Sequence, residues 1–600
     1  MSLDLGYDTP VVLDGRTLDA ERVARLADGR AQPLVDPAAL TVAERGRGLA
    51  RRLTGRVYGR STGVGANRGM EVTDLDPAAH DLRLLRSHAG GIGAPLPARQ
   101  IRAMLAVRAN QLLAGGSGLR PAVVLALAEA LRAGVHPRVN EYGGIGTGDL
   151  TALAQTGLTL IGREPWLGDD QYAAGRHPDE AAGTAPERPA PTARPEPDGG
   201  RGAGPVRGAG AETGTGAVGG TGAGGGAGRV APGVGGGERG APPGGASGGG
   251  PGGGLGAWEP GAVAPGGGRR RPRVPSGRAP AALVLEPGDA LALLSSNALT
   301  LGQSALFCYD LGVLLRAAHT VAALALAAVG GSYEAYAAPV HQARPHPGSV
   351  HAAAEIRRLL DAPERPAPPA GRVQDPFAFR CFPQLHGPAL EARAALERTL
   401  AVDLNAAAEN PLISAEGPEG TATAYHHGGF YEAPLALALD QLCLALLQTA
   451  RGSAARLLAL GRADLTGLHH FLADGAPAAS GVMILEHSAH AALAEVQACA
   501  TPASLTHAVV AQGVEEMASF ATQAARKALR ALDAYRLVLG CELLCAVRAL
   551  RQRGGGLPAS APAASAYRAA ASALDPDMSD RPLTADAATA AGMLEELAAY

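Results

Sequence analysis

The sequence of 600 residues predicts a mainly α protein, a bundle of long helices preceded by a smaller mixed N-terminal region. Leu, Ala and Val recur at helical spacing through residues 281–553, and several of these runs exceed ordinary helix length. Short apolar pieces alternate with glycine-rich turns over residues 1–169. Residues 170–280 are dominated by Gly, Pro, Ala and Arg, so they bury too little apolar surface to offset the entropy lost on ordering.

We therefore divide the chain into an N-terminal region (1–169), a disordered insertion (170–280), a central helical bundle (281–553) and a C-terminal tail with helical segments (554–600). The basic run at 269–273 fits a solvated linker better than a binding site for nucleic acid. In the first part we predict a strand at 11–13 and helices at 41–53, 99–113 and 121–132. The last of these helices has Pro121 at its first position and Gly134 just past its end. In the bundle we predict helices at 311–329, 389–404, 434–447, 478–499 and 518–550.

Composition narrows the class of protein. The net charge of -3 and the pI near 6.6 give no reason to expect nucleic acid or an acidic membrane as a partner. The N-terminus lacks the basic and apolar regions of a signal peptide, and the richest apolar run, 435–447, is broken by Asp440 and Gln441, so we expect no membrane span. The six cysteines are scattered without a CxxC pair, which indicates reduced thiols and a cytoplasmic location.

A glycine-rich loop, Gly143-Gly144-Ile145-Gly146-Thr147-Gly148, feeds directly into a helical pattern that begins at Leu150. Such a loop can hold an anion at a helix N-terminus, but no Lys follows Gly148 and the G-x-G-x-x-G spacing is absent. A Gly-Thr-Gly segment allows a second chemistry, because glycine lets the backbone fold closely enough for Gly148 N to attack the Gly146 carbonyl. Loss of water from that ring and from the Thr147 hydroxyl would leave an electrophilic alkene.

Two further segments carry candidate side chains. Tyr58 stands in a loop with three glycines, which could bring its phenol close to another backbone or could be a surface turn with a packing Tyr. His88 precedes a second glycine-rich turn, and a lone His is usually structural or exposed. Glu486, His487 and His490 share one predicted helix without an H-E-x-x-H pattern, so we expect no metal.

The ordered series of motifs resembles the histidine and aromatic amino-acid ammonia-lyases and aminomutases, and it extends over most of the chain outside the insertion. The motifs that carry the resemblance are Tyr58-Gly59 with Thr62-Gly63-Val64-Gly65, Leu84-Leu85-Arg86-Ser87-His88, Arg108-Ala109-Asn110, Ser117-Gly118-Leu119-Arg120-Pro121, Gly148-Asp149-Leu150, Gln374-Asp375-Pro376, Arg380-Cys381, Asn410-Pro411-Leu412, Pro434-Leu435-Ala436 and Ala525-Arg526-Lys527.

This resemblance implies the ammonia-lyase long-helix bundle, a homotetramer and elimination or migration of ammonia on an α-amino acid. It implies a methylidene-imidazolone group, formed in the family from Ala-Ser-Gly and here placed at Gly146-Thr147-Gly148. Tyr58 matches the catalytic tyrosine, a phenolate-type base, and Glu515 falls where the histidine enzymes carry a glutamate. The substrate-binding positions that the resemblance implies are His88, Asn297, Gln374, Phe377 and Arg380, of which Arg380 would hold the substrate carboxylate.

Departures from the family pattern cluster at these same positions. Thr147 replaces the Ser and would give an ethylidene, Gly146 replaces the Ala, and Phe377 replaces a Tyr. Asn297 lies two positions later than the family Asn, and Glu432 ends a segment that is Asn-Phe-His-Gly in the family.

Three hypotheses remain open from the sequence: a lyase or aminomutase that carries the ring, a ring-free enzyme that uses Tyr58, Glu515 and His88 on a modified amino acid, and a non-catalytic scaffold.

Overall fold

The computed structural model describes residues 9–72, 77–168, 279–366, 372–416 and 420–600. The insertion expected at 170–280, with its basic run, lies almost entirely outside the described residues. The described residues belong to one compact unit with a shared hydrophobic core, so the N-terminal region packs directly on the bundle.

The N-terminal region alternates short strands and helices. Its elements are β1 (Val11–Leu13), α1 (Ala20–Ala27), β2 (Pro33–Val35), α2 (Pro37–Arg52), α3 (Pro77–His88), β3 (Ile92–Pro95), α4 (Ala98–Leu113), α5 (Pro121–Ala133), β4 (Asn140–Tyr142) and α6 (Leu150–Leu160). β1 and β2 pair in parallel around α1, and β3 pairs antiparallel with β4. The strand predicted at 11–13 and the helices predicted at 99–113 and 121–132 are confirmed, and Gly134 ends α5 with φ +69°.

The rest of the described chain is predominantly helical, with one β-hairpin. Its elements are α7 (Asp289–Leu294), α8 (Ala298–Ala328), α9 (Ala338–Gln342), α10 (Pro347–Leu360), α11 (Phe377–Arg380), α12 (Phe382–Asp403), the hairpin β5 (Leu412–Glu416) and β6 (Thr421–Tyr425), α13 (Ala433–Leu460), α14 (Ala463–Thr466), α15 (Met483–Cys499), α16 (Ala521–Gln552), α17 (Pro562–Ala573), α18 (Thr584–Gly592) and α19 (Leu594–Leu597). The prediction of a mainly α long-helix bundle is confirmed.

Helices α8, α13 and α16 form the centre of the bundle, and α4, α12 and α15 pack around them. Small residues bring helices together: a Cβ on Gly348 of α10 would lie 2.2 Å from the Gly387 carbonyl oxygen of α12. The C-terminal helices also dock, with α17 on α8 and α10, α18 on α16 and α19 on α8.

Five predicted helix starts are wrong. The helices predicted from 41 and 389 already begin at Pro37 and Phe382. The helix predicted from 311 already begins at Ala298, because the apolar pattern continues around the whole buried helix and gives no boundary. The helix predicted from 518 begins at Ala521, because Phe520 has φ +54°. The helix predicted from 478 begins at Met483, because Ala478 and Gly481 also have positive φ.

Two helical stretches, Asp289–Ala328 and Ala433–Leu460, are long and apolar enough to cross a membrane, although we expected none from the sequence. The most apolar window is 83% buried in the first and 56% buried in the second, as in the core helices of a bundle. All six cysteines are free thiols, as predicted, and burial raises the pKa of Cys308 and Cys443 to about 12.

Candidate active site

The glycine-rich loop connects β4 to α6. Gly146 has φ +84° and Gly148 has φ +115°, values that favour glycine. Both glycines are buried, and Thr147 between them is half-buried. The backbone on each side of Thr147 is therefore folded tightly, with the Thr147 side chain at the edge of the protein interior.

Residues at the start of α16 donate hydrogen bonds to three carbonyl groups of this loop. Ser519 Oγ donates to Gly146 O at 2.9 Å, Phe520 N donates to Ile145 O at 2.9 Å, and Gln523 Nε2 donates to Gly144 O at 2.8 Å. The positive φ of Phe520 costs about 1–2 kcal/mol, but it turns the chain so that Ser519 and Phe520 present both donors to the loop.

Asp149 joins the loop to α8. Its backbone N donates to Ser296 O at 2.8 Å, and its carboxylate accepts from Thr300 N at 2.8 Å and from Thr300 Oγ1 at 2.9 Å. Burial raises the pKa of Asp149 to about 6, while the hydrogen bonds from Thr300 act in the opposite direction. Asp149 thereby caps the first turn of α8 as well as beginning α6.

The N-termini of α6, α8, α13 and α16 meet at this loop. Asn297, at the start of α8, donates from Nδ2 to Phe430 O at 2.8 Å and to Glu432 Oε1 at 3.1 Å, and Glu432 begins α13. Because a helix N-terminus carries partial positive charge, the four ends create a field that favours negative charge near Thr147.

Glu432 and Asp403 form a buried carboxyl pair beside Asn297. Burial and the neighbouring Asp403 charge raise the pKa of Glu432, and burial raises the pKa of Asp403. Two adjacent carboxyl groups avoid double ionisation by sharing one proton. Asn297 Oδ1 is also buried and has no hydrogen-bond partner within the described residues.

Tyr58 lies in a turn that adjoins the segment leading to Ser519. Its hydroxyl accepts from Gly65 N at 2.8 Å, and a Cβ on Gly65 would lie 3.9 Å from Ala511 Cβ. Burial and the nearby Glu515 charge raise the pKa of Tyr58, although Gly65 N–H and Arg68 oppose this. In the isolated chain Tyr58 is therefore a neutral phenol at pH 7.

His88 is connected to the loop through the β3–β4 pair. It ends α3, where Nδ1 lies 2.9 Å from Leu84 O and 3.0 Å from Ser87 Oγ. The chain then enters β3, whose Ile92 pairs with Tyr142, one residue before the loop begins.

Arg380, Phe377 and Gln374 form a separate group. Arg380 Nε donates to Asp375 O at 2.8 Å, and the guanidinium lies 5.1 Å from the centre of the Phe377 ring, which is 67% exposed. Gln374 is also exposed.

This second group lies beside the C-terminal half of α13, because Arg456 of α13 covers the Phe382 ring at 5.1 Å. Arg456 comes 24 residues after Glu432, which is about 36 Å along a helix. A single chain therefore does not bring Arg380 to Thr147.

The loop geometry suits closure of the ring that the motifs imply. Within the described residues, Gly148 N donates no hydrogen bond and the Thr147 hydroxyl has none, so both groups are available to react. The Gly146 carbonyl is polarised by Ser519. Over the same residues, no three His, Cys, Asp or Glu side chains come together as a metal site requires.

Sequence reasoning missed Ser519, Thr300 and Asp403. Ser519 and Thr300 act through folded contacts with residues more than a hundred positions away, and no local pattern marks them. Asp403 ends a predicted helix, where an acidic residue is ordinary. Glu432 was visible as a departure from the family segment, but its carboxyl partner was not.

Comparison with known proteins identifies relatives over most of the chain. A family model described as aromatic amino acid lyase matches residues 18–192 and 276–572. The chain is 31% identical over 564 residues to the histidine ammonia-lyase of Anaeromyxobacter dehalogenans strain 2CP-C, with 92% of this chain and 91% of the relative covered.

Two solved structures have the same fold. The tyrosine aminomutase from Streptomyces globisporus matches with a TM-score of 0.74 and 24% identity, covering 98% of this chain and 97% of that one. The histidine ammonia-lyase from Trypanosoma cruzi matches with a TM-score of 0.72 and 21% identity, covering 98% and 93%.

Proposed function

Because the chain belongs to the aromatic amino acid lyase family, we propose that it eliminates ammonia from an α-amino acid at a site built around Thr147. The observation that carries the proposal is the tightly folded Gly146-Thr147-Gly148 segment held between four helix N-termini. A methylidene-imidazolone-type group formed from these three residues would supply the electrophile that captures the substrate. Gly148 N, which donates no hydrogen bond within the described residues, and the polarised Gly146 carbonyl support its formation despite the threonine.

We propose that Tyr58 is the base that removes the β-proton of the substrate. Its raised pKa makes the phenolate a strong base once formed, but a nearby cation is needed to form it near neutral pH. Arg380 is a suitable cation, because its planar guanidinium also matches the substrate carboxylate in a bidentate pair. Glu515, close enough to act on the Tyr58 pKa, would receive or orient a polar group of the substrate.

Bringing Arg380 to Tyr58 requires a second copy of the chain. The separation of about 36 Å along α13 supports a site that is shared between chains. Large apolar side chains are exposed on three neighbouring bundle helices, as expected for surfaces that other copies cover: Leu437 and Leu444 on α13, Ile484 on α15 and Leu537 on α16. We propose a homotetramer, the assembly that the resemblance implies, with Phe377, Gln374 and Arg380 reaching the Thr147 loop of another subunit.

The substrate side chain is proposed to be polar, with imidazole as the first candidate. His88 and Glu515 provide hydrogen-bonding groups, and Asn297 Oδ1 is buried with no hydrogen-bond partner within the described residues. The six free cysteines, five of which are buried, are consistent with a cytoplasmic location.

The test is ammonia release from L-histidine, L-tyrosine and L-phenylalanine, with analysis of the organic product. An unsaturated acid identifies a lyase, and a β-amino acid identifies an aminomutase. Thr147→Ala and Tyr58→Phe should each abolish release. Activity that survives Thr147→Ala would favour the ring-free enzyme, and a chain inactive on all amino acids would favour the scaffold.

Complementation tests the composite site. Thr147→Ala and Arg380→Ala should each be inactive, but co-expressed chains should regain about a quarter of the wild-type activity, because random assembly leaves that share of two-chain sites intact. No recovery in mixed oligomers would contradict the shared site.

A further inference from the structure

We propose that Ser519 catalyses closure of the Gly146-Thr147-Gly148 ring by stabilising negative charge on the Gly146 oxygen. This inference rests on the proposed function, since it concerns how the electrophile of that site is made. Ser519 is buried, and its hydroxyl donates to Gly146 O at 2.9 Å. It thus contacts the carbonyl group that Gly148 N must attack.

The surroundings of Ser519 orient its proton. Ala521 N lies 3.4 Å from Ser519 Oγ and donates to it, which leaves the hydroxyl proton directed to Gly146 O. Ala521 is also the first residue of the long helix α16, so the positive end of the helix lies behind this contact. A donor fixed before the reaction stabilises an oxyanion without reorganisation during the reaction.

The chemistry balances without an oxidant. The Gly148 nitrogen forms a bond to the Gly146 carbonyl carbon, and the carbonyl π electrons move to the oxygen that Ser519 contacts. That oxygen takes the Gly148 N–H proton, and it leaves as water with the proton from Thr147 N, which creates a C=N bond. The Thr147 hydroxyl then leaves as a second water with the Thr147 Cα proton, which creates the exocyclic C=C bond.

The close approach of Ser519 also explains why residue 146 is glycine here. A Cβ on Gly146 would lie 2.2 Å from Ser519 Oγ and 2.8 Å from Phe520 N, too close for either contact to persist. The contact from Ser519 therefore requires glycine at position 146, where the family has alanine.

The test follows ring formation in full-length chains made by cell-free synthesis, using the mass of the peptide that contains Thr147 at successive times. Wild type should lose the mass of two waters. Ser519→Ala should lose it at least about tenfold more slowly, since a single oxyanion donor typically contributes more than that. Ser519→Cys, with nearly the same shape and a weak donor, should also be slow.

Thr320→Val is the matched control. It also removes a buried hydroxyl that donates to a backbone carbonyl, but that carbonyl belongs to Leu597 and not to the glycine-rich loop. It should form the ring at the wild-type rate. Circular dichroism and oligomer size check that each variant folds, and the cysteine variant carries the test if the alanine variant does not. Equal rates in wild type and both Ser519 variants would overturn the role of Ser519 alone. No loss of water in wild type would overturn the ring, and this inference with it.

Discussion

Asp149 offers a quantitative test of how the loop is held. Replacement with asparagine (Asp149→Asn) keeps the size of the side chain and its capacity to bond both groups of Thr300, but it removes the charge. The structure buries this carboxyl group completely within the interface of α6 and α8, so the charge is the costly part of the side chain.

The sign and size of the effect follow from the pKa. The pKa of Asp149 rises from 3.8 to about 6 on folding, so the native state binds more protons than the unfolded state between these values. The stabilisation from this group is complete below pH 3.8 and is lost as the pH rises through 6, a total of about 3 kcal/mol. Between pH 4.5 and 7.5 the free energy of unfolding of Asp149→Asn should therefore increase by about 2 kcal/mol relative to wild type.

The assay is urea unfolding at pH 4.5, 6.0 and 7.5, followed by circular dichroism at equal protomer concentration, since assembly contributes to stability. Asp586→Asn is the control: hydrogen bonds from Arg581 lower the pKa of Asp586 below its ordinary value of 3.8, so the difference in stability between this variant and wild type should stay nearly constant across this pH range. A constant difference between wild type and Asp149→Asn across this pH range would refute the assignment of a buried, charged Asp149.

Two other buried groups make independent predictions. Burial, aided by the charge of His351, lowers the pKa of His319 to about 3. This group should therefore reduce the stability of the wild type by about 1.4 kcal/mol for each pH unit below 6.5. His319→Phe should reduce that slope in the same unfolding assay. Burial and the Asp403 charge raise the pKa of Glu432, so the contribution of Glu432 to stability is lost as the pH rises. Glu432→Gln can still accept a hydrogen bond from Asn297, and it should raise the melting temperature more at pH 8 than at pH 5. An equal shift in melting temperature at pH 5 and pH 8 would contradict a proton shared between Glu432 and Asp403.

The parts of the fold that could be predicted from sequence are those encoded by local chemistry. Pro121 and Gly134 mark the two ends of α5 because one fixes φ for a helix start and the other takes a left-handed φ at its end. The start of α16 could not be predicted, since Phe520 adopts a left-handed φ only to meet the Ile145 carbonyl. Periodicity records which side of a helix is buried and contains no information about that contact.

The candidate site divides in the same way. Thr147, Tyr58 and Arg380 could be predicted as site residues because their motifs occur in a fixed order along the chain, whatever their distance in space. Ser519 and Asp403 gain their roles from contacts made in the fold, and neighbouring sequence does not specify such contacts. The distance between Arg380 and Thr147 along α13 was equally invisible, and it is the observation from which we propose a site shared between subunits.

The most direct test of the central claim is the mass of the peptide that spans Thr147 in the purified wild-type protein. We predict a mass lower by two waters, and Thr147→Ala, which has no hydroxyl to lose as the second water, should not show that loss. An unmodified wild-type peptide would contradict it.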